Sequence, residues 1–357
     1  MTERVADSDG LVDLHTHADS DGLVDLHTHA ISPVLPDLAA TGPGYRWPSV
    51  RRLDETTARI HLGDKPYRLV DERCWSASRR LDDMDKDGVA VQVVSPTPVT
   101  FCHDAPPDGA AVLATAQNDF LAELTGSHPD RLKALGAVPL QDPERAIEEL
   151  RRCVERLGFL GVEIGTRVGD LELGDERLDP FFDAAAELGA LVFVHPSDVT
   201  LDPRLASLGI PFGAGMPSET GFAAAGLLVS GALARRRPGI RMCLAHGGGT
   251  LPWLLPRLDK GERLKNSEIA PELLPSALAT RLYSDSLTYD VNSLLLAVDR
   301  YGPEHVVLGT DYPFAAKEEP TGAVLMAPDE QLSAQLKAAI GRDNGRALMR
   351  ARTTQAR

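Results

Sequence analysis

Short apolar runs alternate with stretches of helical periodicity from about residue 78 to the end of the chain. The apolar runs are nearly continuous, which is typical of strands buried on both faces of a parallel sheet. Counting the run near the start of the chain, the pattern predicts eight strands, at 23–29, 89–95, 133–139, 161–165, 190–195, 241–246, 281–286 and 305–311. Eight strands separated by helices predict a (β/α)8 TIM barrel.

An open, doubly wound sheet is the alternative fold with the same alternation of strands and helices. A G-x-G-x-x-G sequence after the first strand would favour it, and the chain has none there. The glycine-rich stretch at 246–249, HGGG, lacks that spacing. The sequence therefore favours the closed barrel.

The sequence of the first strand is written twice, since residues 7–18 read DSDGLVDLHTHA and residues 19–30 repeat them letter for letter. Only one copy can occupy the strand, and the second copy leads directly into the rest of the barrel. We therefore predict an N-terminal extension at 1–18, in which His15 and His17 are spare, and a single barrel at 19–350.

Two further segments depart from the barrel pattern. Residues 31–77 are rich in proline, glycine and aromatic residues and keep no sustained period, so we predict an irregular, lid-like insertion. Residues 351–357 are predicted to form a polar C-terminal tail.

Composition excludes several classes of function. The net charge of −15 argues against nucleic acid as a partner, because phosphate binding needs clustered Lys and Arg. The chain has neither a secretory leader pattern nor an apolar run of about 18 residues, so we expect no membrane partner and a cytoplasmic location. Its four cysteines are scattered and form no C-x-x-C pair, so no disulfide framework is indicated.

Unusual polar residues stand at the C-terminal ends of the predicted strands, where barrel enzymes place their active sites. His27 and His29 end the first strand, and their spacing puts both side chains on one face. His195, His246 and Asp311 end the fifth, sixth and eighth strands. Five such residues on one rim predict a metal site.

Imidazole and carboxylate ligands suit zinc better than magnesium or calcium. A catalytic zinc ion keeps one position for water, whose pKa it lowers towards about 7. The fourth strand, GVEIGT, has no lysine that could carry a bridging carboxylate, so we expect one Zn2+ ion. Glu163 lies in the middle of that strand, and we interpret it as structural.

Several motifs occur in an order and spacing that resemble the metal-dependent amidohydrolase superfamily, and within it the decarboxylase branch that includes 2-amino-3-carboxymuconate 6-semialdehyde decarboxylases. The resemblance extends from residue 27 to about residue 348. The motifs are HTH at 27–29, YRLVDERCW at 67–75, MDKDGV at 84–89, LGFLGVEIGT at 157–166, FVHP at 193–196, AHGGG at 245–249 and GTDYPF at 309–314.

The resemblance implies a role for each matching residue. The implied metal ligands are His27, His29, His195 and Asp311. His246 would be the general base that acts on metal-bound water, and Asp311 would also belong to the catalytic group.

Four further positions are implied to contact the substrate. Arg68 and Arg257 match arginines that bind the substrate carboxylate, and in the family the second reaches across a homodimer interface. Ser197 and Phe314 are expected beside the substrate. Ser197 stands where the family usually has tryptophan, and Leu62 stands where a lysine is expected, so part of the pocket is larger and less charged.

We therefore expect a zinc-dependent decarboxylase of an amino-carboxymuconate semialdehyde or a related hydroxy- or amino-aryl carboxylate. The altered pocket keeps an alternative open, a hydrolase or cyclodehydratase acting on an aryl ester or amide. Some actinomycete proteins similar to the family close benzoxazole rings on 3-hydroxyanthranilate-derived esters in secondary metabolism. A barrel that only binds ligands is disfavoured, because every implied metal ligand is present.

Overall fold

The computed structural model describes residues 22–197, 202–235 and 239–350. The predicted extension at 1–18 and the predicted tail at 351–357 lie outside the described residues.

Strands are distributed along the whole described part of the chain. They are β1 (Leu23–Ala30), β2 (Pro48–Arg52), β3 (Thr57–Leu62), β4 (Lys65–Asp71), β5 (Val89–Pro96), β6 (Leu132–Gly136), β7 (Gly161–Ile164), β8 (Arg167–Val168), β9 (Leu171–Glu172), β10 (Leu191–Val194), β11 (Arg241–Leu244), β12 (Tyr283–Asp285) and β13 (Val306–Val307).

Helices follow most of the strands. They are α1 (Ala77–Asp87), α2 (Pro107–Gly126), α3 (Pro143–Arg151), α4 (Asp179–Glu187), α5 (Pro203–Ser207), α6 (Met216–Val229), α7 (Ala232–Arg235), α8 (Leu251–Lys265), α9 (Pro275–Ala279), α10 (Val291–Tyr301), α11 (Ala323–Met326), α12 (Ala334–Ala338) and α13 (Asn344–Arg350).

Eight strands form one parallel sheet in the order β1-β5-β6-β7-β10-β11-β12-β13. The sheet closes between its first and last strands. The Leu26 amide donates to the Leu308 carbonyl at 2.9 Å, and the His29 amide donates to the Tyr312 carbonyl at 2.7 Å. The predicted (β/α)8 barrel is confirmed.

Local sequence signals set the ends of helix α1. The Ser76 hydroxyl accepts a hydrogen bond from the Arg79 amide at 3.2 Å, which satisfies one of the free donors of the first turn. Gly88 ends the helix with a φ of 68°, a conformation that glycine adopts without steric cost. The chain then enters β5 directly, so this helix lies against the sheet.

Three predicted strands were too long by two or more residues at their C-terminal ends, and the third strand, expected to reach residue 139, ends at Gly136. The sixth was expected to reach residue 246 and the eighth residue 311, but β11 ends at Leu244 and β13 at Val307. His246 has a φ of 58° and Asp311 a φ of 64°, and neither value fits an extended strand. At both positions the backbone turns at the rim of the barrel, and the turn directs the side chains of His246 and Asp311 towards the centre of the rim.

The insertion at 31–77 is irregular, as expected, only as far as residue 47. Strands β2, β3 and β4 form an antiparallel sheet within it. Ala58, Ile60 and Val70 on this sheet pack with Ile31, which follows β1 directly, and with Val99, which follows β5. The small sheet therefore rests on the rim of the barrel and forms one wall of the site.

The interior of the barrel is filled by apolar side chains beneath the rim. Val93, Leu135, Phe193, Cys243 and Val307 belong to one buried cluster there. Because apolar side chains fill the barrel interior, the polar residues of the site lie at the carboxyl ends of the strands. Among the described residues, every helix is too short or too polar to cross a membrane.

Candidate metal centre and active site

Strand β1 delivers two histidines to one point at the rim. His27 and His29 are fully buried, and their Nε2 atoms lie 3.1 Å apart. Because side chains two residues apart in a strand share a face, the H-T-H spacing brings both rings together.

Two further side chains converge on the same point from other strands. Asp311 Oδ1 lies 3.1 Å from His29 Nε2 and 3.7 Å from His27 Nε2. With His195, these residues each offer one ligand atom, and all four atoms lie within 4.8 Å of one another. The structure brings together the four residues that the sequence implied as ligands.

The outer nitrogen of each histidine faces a hydrogen-bond acceptor. The pairs are His27 Nδ1 with Asp285 Oδ2 at 2.6 Å, His29 Nδ1 with the Pro96 carbonyl at 3.1 Å and His195 Nδ1 with the Pro196 carbonyl at 2.6 Å. An acceptor on this side favours a proton on Nδ1, so the Nε2 lone pairs point inward.

This donor set fits a divalent cation. His195 Nε2 is buried and has no hydrogen-bond partner among the described residues. A buried nitrogen without a partner is costly, and a coordinated ion would remove that cost. Three imidazoles and one carboxylate make a ligand set typical of transition metals.

Asp285, at the end of β12, is a site residue that the sequence analysis missed. Its Oδ2 accepts from His27 Nδ1 and from the His246 amide at 2.9 Å. Its Oδ1 accepts from the Gly247 amide at 2.8 Å and the Leu287 amide at 3.1 Å. The signal was available, because this acid ends the seventh strand on the same rim as the other polar residues.

The hydrogen bonds at Asp285 also explain its charge. Burial alone would raise the pKa of this carboxyl, but the hydrogen bond from His27 and the charge of that ring outweigh it, and the pKa is lowered. In turn, burial opposes a charge on His27, and the hydrogen bond to Asp285 overcomes it and raises the pKa of that ring.

His246 stands over the group from the end of β11. Its ring centroid lies 4.9 Å from that of His195 and 5.3 Å from that of His27. Burial, and then the neighbouring His27, lower the pKa of His246 to about 4. Its Nδ1 has no hydrogen-bond partner within the described part of the chain. The ring is therefore neutral at pH 7 and can accept a proton.

Glu163 lies closer to this group than the sequence suggested. Its side chain is fully buried, and Oε1 lies 3.8 Å from His29 Nδ1. Neither carboxyl oxygen has a hydrogen-bond partner among the described residues. Burial, and then the charge of Asp311, raise the pKa of Glu163. A purely structural interpretation is incomplete, because this carboxyl contacts the outer side of a ligand ring.

A cavity of about 510 Å3 opens beside the group and is lined by Arg68, His195, Asp311 and Phe314, among others. The Arg68 guanidinium lies over the Phe314 ring, 4.7 Å from its centroid. The Phe314 ring in turn stacks on His29, with centroids 5.5 Å apart. One aromatic ring therefore separates the cation from the ligand set.

The other two residues implied for the substrate lie elsewhere. Ser197 and Leu62 both line a second cavity of about 480 Å3. Arg257 is exposed on helix α8. One turn earlier on the same helix, Trp253 is 73% exposed and lines a third cavity that also contains His246.

A parallel eight-stranded barrel with three histidines and an aspartate at its carboxyl rim defines a metal-dependent enzyme of the amidohydrolase type. The chain belongs to the amidohydrolase family, since the family model described as "Amidohydrolase" matches residues 12–350. The resemblance inferred from the sequence motifs is thereby confirmed.

Several relatives of this chain are named as decarboxylases. It is 34% identical, over 78% of its own length and 78% of the relative, to the 2-amino-3-carboxymuconate-6-semialdehyde decarboxylase of Dictyostelium discoideum. The expected assignment to the carboxy-lyases is confirmed at this level.

Solved structures share the fold. The apo IDCase of Metarhizium anisopliae superposes with a TM-score of 0.77 at 25% identity, covering 95% of this chain and 99% of that one. A dihydroxybenzoic acid decarboxylase of Polaromonas with bound manganese and the inhibitor 2-nitroresorcinol gives 0.73 at 23% identity, covering 92% and 97%. At that identity the second likeness concerns the fold alone.

Proposed function

We propose that this enzyme removes CO2 from an amino-carboxymuconate semialdehyde or a related hydroxy- or amino-aryl carboxylate. The observation that carries the proposal is the stack of Arg68 on Phe314 and of Phe314 on His29. A carboxylate bound by the guanidinium would lie beside the ligand set, in a cavity of about 510 Å3.

We assign one Zn2+ ion to His27, His29, His195 and Asp311, because nitrogen-rich ligand sets favour zinc. When bound, the ion supplies Lewis acidity that draws electron density from substrate oxygen atoms. Glu163 approaches the Nδ1 side of His29, away from the converging Nε2 atoms, which supports one ion rather than two. Manganese in the Polaromonas structure makes that metal the main competitor.

The chain's own residues then perform the reaction. Arg68 pairs with a substrate carboxylate, and the planar part of the substrate packs against Phe314, whose own ring lies between that arginine and His29. When the bond between the carboxyl carbon and the substrate carbon that bears it breaks, CO2 leaves and the electron pair stays on that substrate carbon. His246, whose neutral ring lies beside the ligand set, acts as a base that takes a proton from a water molecule in the site and passes it to this carbon.

We further propose that the protein acts as a homodimer in which Arg257 reaches the site of the second copy. Arg257 follows the exposed Trp253 on helix α8, and Phe212 beside it in the third cavity is 55% exposed. Large exposed apolar side chains at one place are typical of an association surface. The cytoplasmic location stays a prediction.

An aryl ester or amide is the second candidate substrate. The reaction would be hydrolysis or cyclodehydration, like the benzoxazole ring closure by similar actinomycete proteins of secondary metabolism. The second cavity of about 480 Å3 next to Ser197 favours it, because it adds room beyond a single ring.

Incubation of the metal-loaded protein with amino-carboxymuconate semialdehyde, hydroxybenzoates and aryl esters tests both candidates. Release of CO2 from a carboxylate supports decarboxylation. Loss of water or alcohol from an ester without CO2 would replace it with the second candidate. The variant Arg68→Gln removes the guanidinium assigned to the substrate carboxylate. Arg51→Gln, which changes an exposed arginine at the end of β2, is its matched control.

A further inference from the structure

Arg80, on helix α1, is fully buried and is one of the largest side chains without solvent contact in the described part of the chain. Burying a guanidinium is costly, and a buried charge is usually paired with an opposite one. The hydrogen bonds of Arg80 to the described residues instead all go to neutral acceptors. Well-packed apolar residues often stabilise a fold as well as a buried charge does, so stability alone does not explain this arginine.

The guanidinium holds the strand that carries two of the metal ligands. Its Nη1 donates to the His29 carbonyl at 2.9 Å, and its Nη2 donates to the Thr28 hydroxyl at 2.8 Å. Thr28 stands between the two ligand histidines of β1, and its hydroxyl in turn donates to the Val93 carbonyl at 2.9 Å. The His29 amide donates to the Tyr312 carbonyl at 2.7 Å. Both backbone groups of this ligand residue are therefore fixed.

Arg80 also contacts the chain segment on the other side of the barrel closure. Its guanidinium carbon lies 4.8 Å from the centroid of the Tyr312 ring, a cation–π contact. The Tyr312 hydroxyl donates at 3.0 Å to Oδ2 of Asp83, which lies three residues further along helix α1. Because Tyr312 directly follows the ligand Asp311, helix α1 holds both segments that supply the ligands His27, His29 and Asp311.

Two more acceptors complete the surroundings of the guanidinium. Its Nη1 also donates to the Arg73 carbonyl at 2.8 Å, and its Nε donates to Gln92 Oε1 on β5 at 3.3 Å. Arg73 lines the cavity of about 510 Å3 beside the ligand set. The donors of a guanidinium lie in one rigid plane, so Arg80 fixes the positions of these groups relative to one another.

We propose that Arg80 is a positioning residue of the metal centre, whose guanidinium sets the placement of His27 and His29 on β1 relative to Asp311. The inference rests on the metal site of the proposed function. A shift of either segment would change the arrangement of ligands around a bound ion. It would therefore lower the metal affinity while the barrel stays folded.

Co2+ reports both consequences, because its visible absorption depends on the number and arrangement of its ligands. Titration of the metal-free, full-length protein with Co2+ gives the affinity, and the absorption spectrum gives the geometry. Arg80→Met removes all the donors, and it should weaken Co2+ binding about tenfold and change the visible spectrum. Arg80→Lys keeps the charge and up to three donors, so it should recover part of both properties.

Arg131 offers a matched control at the opposite end of the barrel strands. Its Nε donates to the Ala90 carbonyl at 2.7 Å and its Nη2 to the Val89 carbonyl at 3.0 Å, at the start of β5. Arg131→Met should lower the melting temperature of the metal-free protein without changing the Co2+ affinity or spectrum. Parental affinity and spectrum in a folded Arg80→Met protein, or an equal change in Arg131→Met, would overturn the proposal.

Thr28→Val replaces Arg80→Met if that variant does not fold, because it keeps the shape of the side chain and removes the hydroxyl that Arg80 binds. It should also weaken Co2+ binding and change the spectrum, and parental values would then overturn the proposal. Binding is measured without turnover, so these changes in a protein that releases no CO2 would support the role of Arg80 and reject only the proposed reaction. A parent protein that binds no Co2+ would reject this role together with the metal centre.

Discussion

Replacement of Asp285 by asparagine is expected to weaken metal binding without unfolding the barrel. The carboxylate accepts from four donors, two on each oxygen, including His27 Nδ1 and the His246 amide. Asparagine has nearly the same shape but offers one acceptor oxygen and one NH2 group. In either orientation of the amide, two buried donors face another donor.

The size of the effect follows from these contacts. A buried donor left without an acceptor costs about 1–3 kcal/mol, and about 1.4 kcal/mol corresponds to tenfold in an equilibrium constant. If His27 shifts its proton to Nε2 to relieve the clash, it can no longer bind the ion. We therefore expect a 10- to 100-fold loss of metal affinity, the range typical of residues that orient metal ligands.

Competition with a chromophoric chelator measures the affinity, and circular dichroism of the metal-free protein checks the fold. Asp290→Asn is the control, since Asp290 caps helix α10 by accepting from the Ser293 amide and is exposed. An Asp285→Asn protein that folds and keeps parental metal affinity would refute the assigned role of this carboxylate.

Three further predictions concern single side chains. His27→Ala should abolish metal binding in chelator competition while His15→Ala leaves it unchanged, and the reverse result would assign the first copy of the duplicated sequence to β1. Arg68→Gln should raise KM about tenfold or more with a smaller effect on kcat, whereas Arg51→Gln should change neither. Burial lowers the pKa of His103 to about 4 from about 6.5 in the unfolded chain, so the folded protein binds fewer protons in this window. Its contribution to stability is therefore present above pH 6.5 and lost towards pH 4, up to about 3 kcal/mol. Urea unfolding of metal-free His103→Phe should depend less on pH across this range than unfolding of the parent. Equal pH dependence would mean that folding does not shift the pKa of this ring.

The barrel and its ligand set could be predicted from sequence because their signals are local. Nearly continuous apolar runs identify the strands, and residues such as His195 and Asp311 stand out at strand ends where apolar residues are usual. Because the strands are parallel, their carboxyl ends meet at one rim, and the topology alone predicts that these residues lie close together.

Other features depend on contacts between distant segments. Asp285 bonds to His27, which lies 258 positions away in the sequence. From the sequence alone, this aspartate cannot be distinguished from the other acidic residues that occur at strand ends. The small sheet on the rim was missed because the alternation in Thr57–Leu62 covers only six residues between turns. Arg68 and Ser197 line two different cavities, which share Val99 as a lining residue. The spacing of residues in the sequence does not predict this separation.

The closing seam of the barrel has a consequence for the protein as a whole. His27 and His29 belong to the first strand and Asp311 follows the last, and the Asp311 amide donates to the His27 carbonyl at 2.9 Å across that seam. A bound ion would join the two ends of the folded chain as a reversible crosslink, and because the ligands form no site in the unfolded chain, binding stabilises the folded state alone. Thermal stability should then rise with free metal concentration, by about 2.7 kcal/mol at a hundredfold excess over Kd. The melting temperature would thus report metal occupancy directly, without a substrate.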